Sequence, residues 1–180
     1  QAIGFFKSHG LQDESVLDAL RDRTLQFGHM VPALPRQFVR LYDGLALQIG
    51  GRTWHCISGY GHAPEHIALY CPALHTLIAG DMVLPRISTN VGVWPNEPQA
   101  NPLKWFLDAL TLYERMPRDV LVLPSHNECF RGLHARLDYL AVAQERTLER
   151  LRKTLKEPKR VVDVFTTLFG RSIDETDAGL

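Results

Sequence analysis

Thr76-Leu77-Ile78-Ala79-Gly80-Asp81 is a short apolar run that ends on a glycine and a carboxylate. Thr76 to Ala79 reads as a strand, and Gly80-Asp81 as the turn that closes it. Just upstream, Ile67 to Tyr70 is a second apolar run, and Cys71-Pro72 between the two marks a hairpin. Ser58-Gly59-Tyr60-Gly61-His62-Ala63-Pro64-Glu65-His66 is a loop by composition. Further upstream the period is two. Leu45, Leu47 and Ile49 alternate with smaller or polar residues, Gly50-Gly51 is a turn, and Thr53 to Ser58 is the return strand. Asp43-Gly44 has the same turn composition.

Helical spacing flanks these strands. Val16, Leu17 and Leu20 share one face of a helix from Glu14 to about Arg23, followed by a loop with Pro32 and Pro35. Pro85 to Pro102 is irregular. Asn101-Pro102 is a helix start, with Asn as cap and Pro at the first helical position. Leu103, Phe106, Leu107, Leu110 and Tyr113 form its buried stripe, and Pro117 ends it. In this register Trp105, Phe106 and Tyr113 fit a helical core face. Val120 to Leu123 is an apolar strand that stops at Pro124-Ser125-His126. Leu133, Leu137, Leu140, Leu148, Leu151 and Leu155 then recur at helical steps up to Pro158. Val161, Val162, Phe165, Leu168 and Phe169 predict one more helix, stopped by Gly170. Several antiparallel strands, a helix, a strand and a long helix make an α+β or mixed layered domain rather than a regular parallel array.

Bulk composition excludes several classes. The chain has 180 residues, 45% hydrophobic and 22% charged, with net charge +0. That is ordinary for a soluble globular domain, and no basic excess marks a nucleic-acid or membrane surface. Cys56, Cys71 and Cys129 are odd in number and form no Cys-x-x-Cys, so a reducing, cytoplasmic setting is expected. Residue 1 is Gln rather than Met, and Asp174 to Leu180 carries no capping or tail signal. Truncation at both ends is the expectation.

His62, Asp81 and His126 share one property: each sits just past an apolar strand, in a turn with Gly, Pro or Ser neighbours. Loops that follow rigid strands are where ligands can converge. Two imidazoles and a carboxylate could form part of a zinc shell. Taken singly, each histidine reads more readily as an ordinary hydrogen-bonded side chain than as a ligand, and Asp81 as a turn former or helix cap. His62-Ala63-Pro64-Glu65-His66 also matches the inverted zinc-protease pattern His-x-x-Glu-His. That chemistry requires both histidines on one helix, which Pro64 and the nearby glycines oppose.

Gly61-His62-Ala63-Pro64-Glu65-His66, then Ala79-Gly80-Asp81-Met82-Val83-Leu84, then Leu123-Pro124-Ser125-His126 resemble the third, fourth and fifth metal motifs of the metallo-β-lactamase superfamily. Gly80-Asp81-Met82-Val83-Leu84-Pro85-Arg86-Ile87-Ser88 and Arg131-Gly132-Leu133-His134 are similar to its glyoxalase-II-like bacterial branch. The resemblance runs from about Phe38 to Phe169. It implies the C-terminal part of an αββα sandwich over residues 1–157, with 158–180 starting a helical extension. It implies two zinc ions: His62 on the first, Asp81 bridging both, His126 on the second. A metal-bound hydroxide would hydrolyse an ester, thioester or lactone, since a metal lowers the pKa of its water from 15.7 to about 7. Glu65 and His66 would stabilise the loop or stand near substrate. Arg86 would bind an anionic substrate group or form a surface ion pair. His134 would be structural, and Cys129 a packed thiol.

The family's His-x-His-x-Asp-His motif is absent. His9, His29 and His55 precede residue 62, and no two are spaced His-x-His. The expectation is therefore a hydrolase whose isolated fragment binds metal weakly and is inactive. The alternatives are a non-catalytic interaction domain and a nuclease of the same fold. A small-molecule substrate is expected, with no membrane or nucleic-acid partner, and the exposed apolar surface of half a sandwich should drive self-association.

Overall fold

A computed structural model of the chain describes residues 2–30, 33 and 35–173. Pro32 and the terminal segment 174–180 lie outside the described residues. The elements run α1 (Ala2–Ser8), α2 (Glu14–Met30), β1 (Ala46–Ile49), β2 (Arg52–Gly59), β3 (His66–Cys71), β4 (Thr76–Gly80), α3 (Pro102–Tyr113), β5 (Leu121–Pro124), α4 (Leu133–Thr154) and α5 (Val161–Phe169). A 3-10 turn, Pro72–Leu74, joins β3 to β4. The α+β class expected from the sequence is what the chain adopts.

The strands form one five-stranded sheet in the order β1-β2-β3-β4-β5. The first four are antiparallel hairpin neighbours. Gly50 and Gly51 both take positive φ, 57° and 72°, which a two-residue hairpin turn with native twist requires. β5 returns parallel to β4, with Leu77 opposite Val122. A parallel return needs a crossover, and the segment containing α3 supplies it.

The chain divides into two compact units. The larger holds the sheet, α3 and the first turns of α4. Its core joins Ala68, Leu77, Ala79 and Val122 from the strands to Phe106, Leu110 and Tyr113 from α3 and Leu133, Leu137 and Leu140 from α4. The strand residues alternate, so this core occupies one sheet face. The smaller unit gathers α1, α2, the later turns of α4 and α5. In it Leu11, Val16 and Leu17 are buried against Ile3, Phe6 and Val162.

Two aromatic readings separate here. Phe106 and Tyr113 are fully buried, as the helical stripe predicts, whereas Trp105 is 40% exposed. Trp105 lies one position, about 100°, off the stripe and so faces away from the core.

Candidate metal centre

Three loops at strand ends build the site. β2 ends at Gly59, and the following loop carries His62. Gly61 has φ +106, and a Cβ there would lie 2.6 Å from the Pro102 carbonyl oxygen. Only glycine lets this loop press against the start of α3. β4 ends at Gly80, φ +53, and turns directly into Asp81. β5 ends at Pro124, and the Ser125 amide donates to the Gly80 carbonyl at 3.1 Å. That bond extends the β4–β5 pairing by one step and brings His126 beside Asp81.

Asp81 sits between the two histidines. His62 Nε2 is 3.3 Å from Asp81 Oδ2, and His126 Nε2 is 3.3 Å from Asp81 Oδ1. Ser125 Oγ donates to Asp81 Oδ1. Thr89 Oγ1 donates to the Asp81 carbonyl oxygen at 2.6 Å, which anchors the turn. His62 Nδ1 is 2.8 Å from the Asn90 carbonyl oxygen. A carbonyl only accepts, so Nδ1 carries the proton. In the neutral form His62 thus presents its Nε2 lone pair toward a carboxylate oxygen. Two acceptors face each other unless a proton or a cation lies between them. A backbone carbonyl fixing the remote ring nitrogen is also the usual support of a metal-ligating histidine.

The donors fit a bridged pair, one imidazole on each carboxylate oxygen. They do not fit a single closed ion site. Among the described residues, no group of three or more His, Cys, Asp or Glu side chains is arranged to hold one ion by itself.

The remaining candidates fall elsewhere. His66 opens β3, and its Nε2 lies 2.5 Å from where a Cβ on Gly80 would be. Its Nδ1 is buried with no hydrogen-bond partner, so that nitrogen makes none of the loop-stabilising bonds expected of it. Burial, reinforced by nearby His62, pushes the His66 imidazole below its ordinary pKa, while Asp81 pulls the other way. Glu65 pairs with Arg40 on the surface rather than bracing its own loop. Arg86 pairs with Glu128, also on the surface. His62 lies in a bend and His66 in a strand, so the His-x-x-Glu-His spacing is not helical. Cys129 is exposed rather than packed, because Val122 pairs with Phe130 as an isolated bridge while Cys129 stays at the surface beside it. His134 Nε2 is 2.9 Å from the Glu114 carbonyl oxygen, a bond between α4 and the end of α3.

The sequence model of the metallo-beta-lactamase superfamily matches residues 10–126, a span that takes in all three clustered donors and ends on His126. The chain belongs to the metallo-beta-lactamase superfamily. A beta-lactamase domain protein from Burkholderia ambifaria is 45% identical, with a TM-score of 0.88 over 94% of this chain and 49% of that one. A metallo-beta-lactamase family protein from Thermus thermophilus is 29% identical, with a TM-score of 0.69 over 82% of this chain and 52% of that one. The chain thus spans about half the length of these solved relatives. No curated protein sequence matches it. Among the described residues, no helix is long and apolar enough to cross a membrane.

Asn90 and Thr89 were not legible as site residues. Asn90 acts through its backbone carbonyl, which no residue type advertises. Thr89 sits in an irregular stretch where a hydroxyl carries no periodic signal.

Proposed function

We propose that this chain carries part of a two-zinc hydrolase centre, with Asp81 bridging, His62 on one ion and His126 on the other. The observation that supports it is the placement of the two imidazole nitrogens at 3.3 Å from different oxygens of one carboxylate. Zinc bound there would supply Lewis-acid polarisation of a substrate oxygen and an acidified water. The chain's own part is to hold the donors rigid. Asn90 fixes the His62 tautomer, Ser125 orients the carboxylate, and Thr89 locks the turn beneath it. Three donors shared by two ions leave neither shell complete, since a catalytic zinc takes three protein ligands. The reading therefore requires further donors, and the isolated 180 residues should bind zinc weakly and turn over poorly. The substrate class is an ester-like bond, thioester or lactone first, as in the glyoxalase-II-like branch.

Zinc titration against a chromogenic chelator tests this. Asp81→Asn should abolish uptake on both sides of the carboxylate, whereas His62→Ala and His126→Ala should each remove about half. Undiminished zinc uptake by Asp81→Asn would sink the bridging role. Zinc-loaded protein that cleaves phosphodiesters in preference to thioesters and lactones would transfer the reading to a nuclease.

A further inference from the structure

The two loops that bring Asp81 and His126 together continue into the walls of a cavity of about 410 Å³. Arg86 follows Asp81 by five residues, and Glu128 follows His126 by two. Arg131, Gly132, Ala135 and Arg136 line it from the side of α4. This volume suits a small-molecule group.

Its charge is unbalanced. Arg86 is paired with Glu128, which cancels both. Arg131 donates to the backbone carbonyl of Asp119, whose own carboxylate lies 3.3 Å from His75. Arg136 donates to the carbonyls of Leu84 at 2.6 Å and Ile87 at 2.8 Å, and its guanidinium lies 5.0 Å from the Tyr139 ring centre. Carbonyls and a ring position a guanidinium without neutralising it. Two of the three lining cations are thus held in place with their charge intact. Burial also disfavours the Arg136 charge, a penalty that an arriving anion would offset.

The backbone adds to this. Gly132 and Ala135 belong to the entry and first turn of α4, a helix of 22 residues with no acidic residue in that turn. The first N–H groups of a helix have no intrahelical acceptor and form its positive end. No side-chain carboxylate of that turn occupies them here.

We propose that this cavity is an anion subsite that receives a carboxylate or phosphate group of the substrate. Its link to a substrate rests on the hydrolase reading of the metal centre, whereas the anion site itself does not. Arg131, Arg136 and the α4 N-terminus hold the anion. Glu128 works against it and, by engaging Arg86, limits its affinity.

The test is a titration of metal-free chain with inorganic phosphate at constant ionic strength, followed by backbone amide NMR. Saturable shifts are expected at Gly132 to Arg136. Arg131→Gln should weaken phosphate about tenfold, the worth of one charge-assisted hydrogen bond. Ala135→Glu puts a carboxylate at an exposed first-turn position that suits helix geometry, so it should fold and abolish saturation. Glu128→Gln should tighten binding several-fold. Absence of saturable shifts in that turn, or equal affinity in wild type, Arg131→Gln and Ala135→Glu, would overturn the subsite. On zinc-loaded protein, Ala135→Glu should raise KM several-fold more for anionic thioesters than for neutral ones. An equal KM change for both would remove the substrate role. Phosphate binding at this turn together with undiminished zinc uptake by Asp81→Asn would leave the subsite standing and the hydrolase reading fallen. Zinc uptake lost in Asp81→Asn with no phosphate response in wild type would do the reverse.

Discussion

Gly61 and Gly80 place the two donors that follow them, and they tolerate a side chain to different degrees. A Cβ on Gly61 would strike backbone, the Pro102 carbonyl and the Phe106 amide nitrogen, at 2.6 and 2.8 Å. A Cβ on Gly80 would strike the end of one side chain, His66. Gly61→Ala is expected to destabilise by about 3 kcal/mol, a positive-φ penalty plus an overpacked contact. Gly80→Ala should cost about 2 kcal/mol, because His66 can move. Urea unfolding midpoints check the order, and a Gly80→Ala loss larger than that of Gly61→Ala would refute it. At this scale the sequence was informative about which residues could be donors. Turn glycines before His62 and Asp81 announced rigid loop ends. It was silent on the Asn90 carbonyl and on the unbonded Nδ1 of His66, since both depend on which chain segment lies alongside.

Among the elements, those with local chemical signals were legible. α3 begins where Asn101-Pro102 predicts, and Asn101 Oδ1 accepts from the Lys104 amide at 3.1 Å. Asn101→Ala should cost about 1 kcal/mol, the usual worth of an N-cap. Thermal unfolding measures it, and a melting temperature unchanged from wild type would mean the cap contributes nothing. The β1–β2 hairpin follows from Gly50-Gly51, and α5 stops at Gly170, which takes φ 72° as a C-cap. Other elements gave less warning. α1 buries none of its residues fully and has no cap signal, so no periodic pattern marks Ala2–Ser8. α2 runs to Met30, past the last of its Val16-Leu17-Leu20 stripe, since no proline interrupts it before Pro32. The parallel pairing of β4 with β5 joins segments some 45 residues apart (Leu77 to Val122), and two uniformly apolar runs carry no orientation signal.

In the larger unit, the sheet has two apolar faces, and α3 and α4 pack on one of them. Cys56, Leu69, Ile78 and Leu123 are register partners across four successive strands, on the face opposite Leu77 and Val122. Ile78 in this row is 39% exposed. Among the described residues β1 pairs only with β2, which leaves its other edge open, and Ile49 on it is 49% exposed. An open strand edge beside an apolar face is a template for association. We expect the purified chain to associate with a second copy through this surface. Light scattering should show mass rising with concentration above 20.4 kDa, and Ile78→Lys should suppress the rise. A monomer at every concentration would refute it.

Periodicity, turn chemistry and caps are local, so the sequence alone determined the α+β class, most strand and helix positions, and the three residues worth watching. Donor convergence is not local. It depends on β5 lying parallel to β4, which sets His126 beside Asp81, and on Gly61 pressing its loop against α3, which positions His62 from the other side. Only the tertiary structure decided that Glu65 and Arg86 have ion-pair partners of their own. It also decided that the guanidiniums of Arg131 and Arg136 rest on neutral carbonyls. Charge neutralisation depends on which atoms meet in space, and spacing along the chain does not encode that.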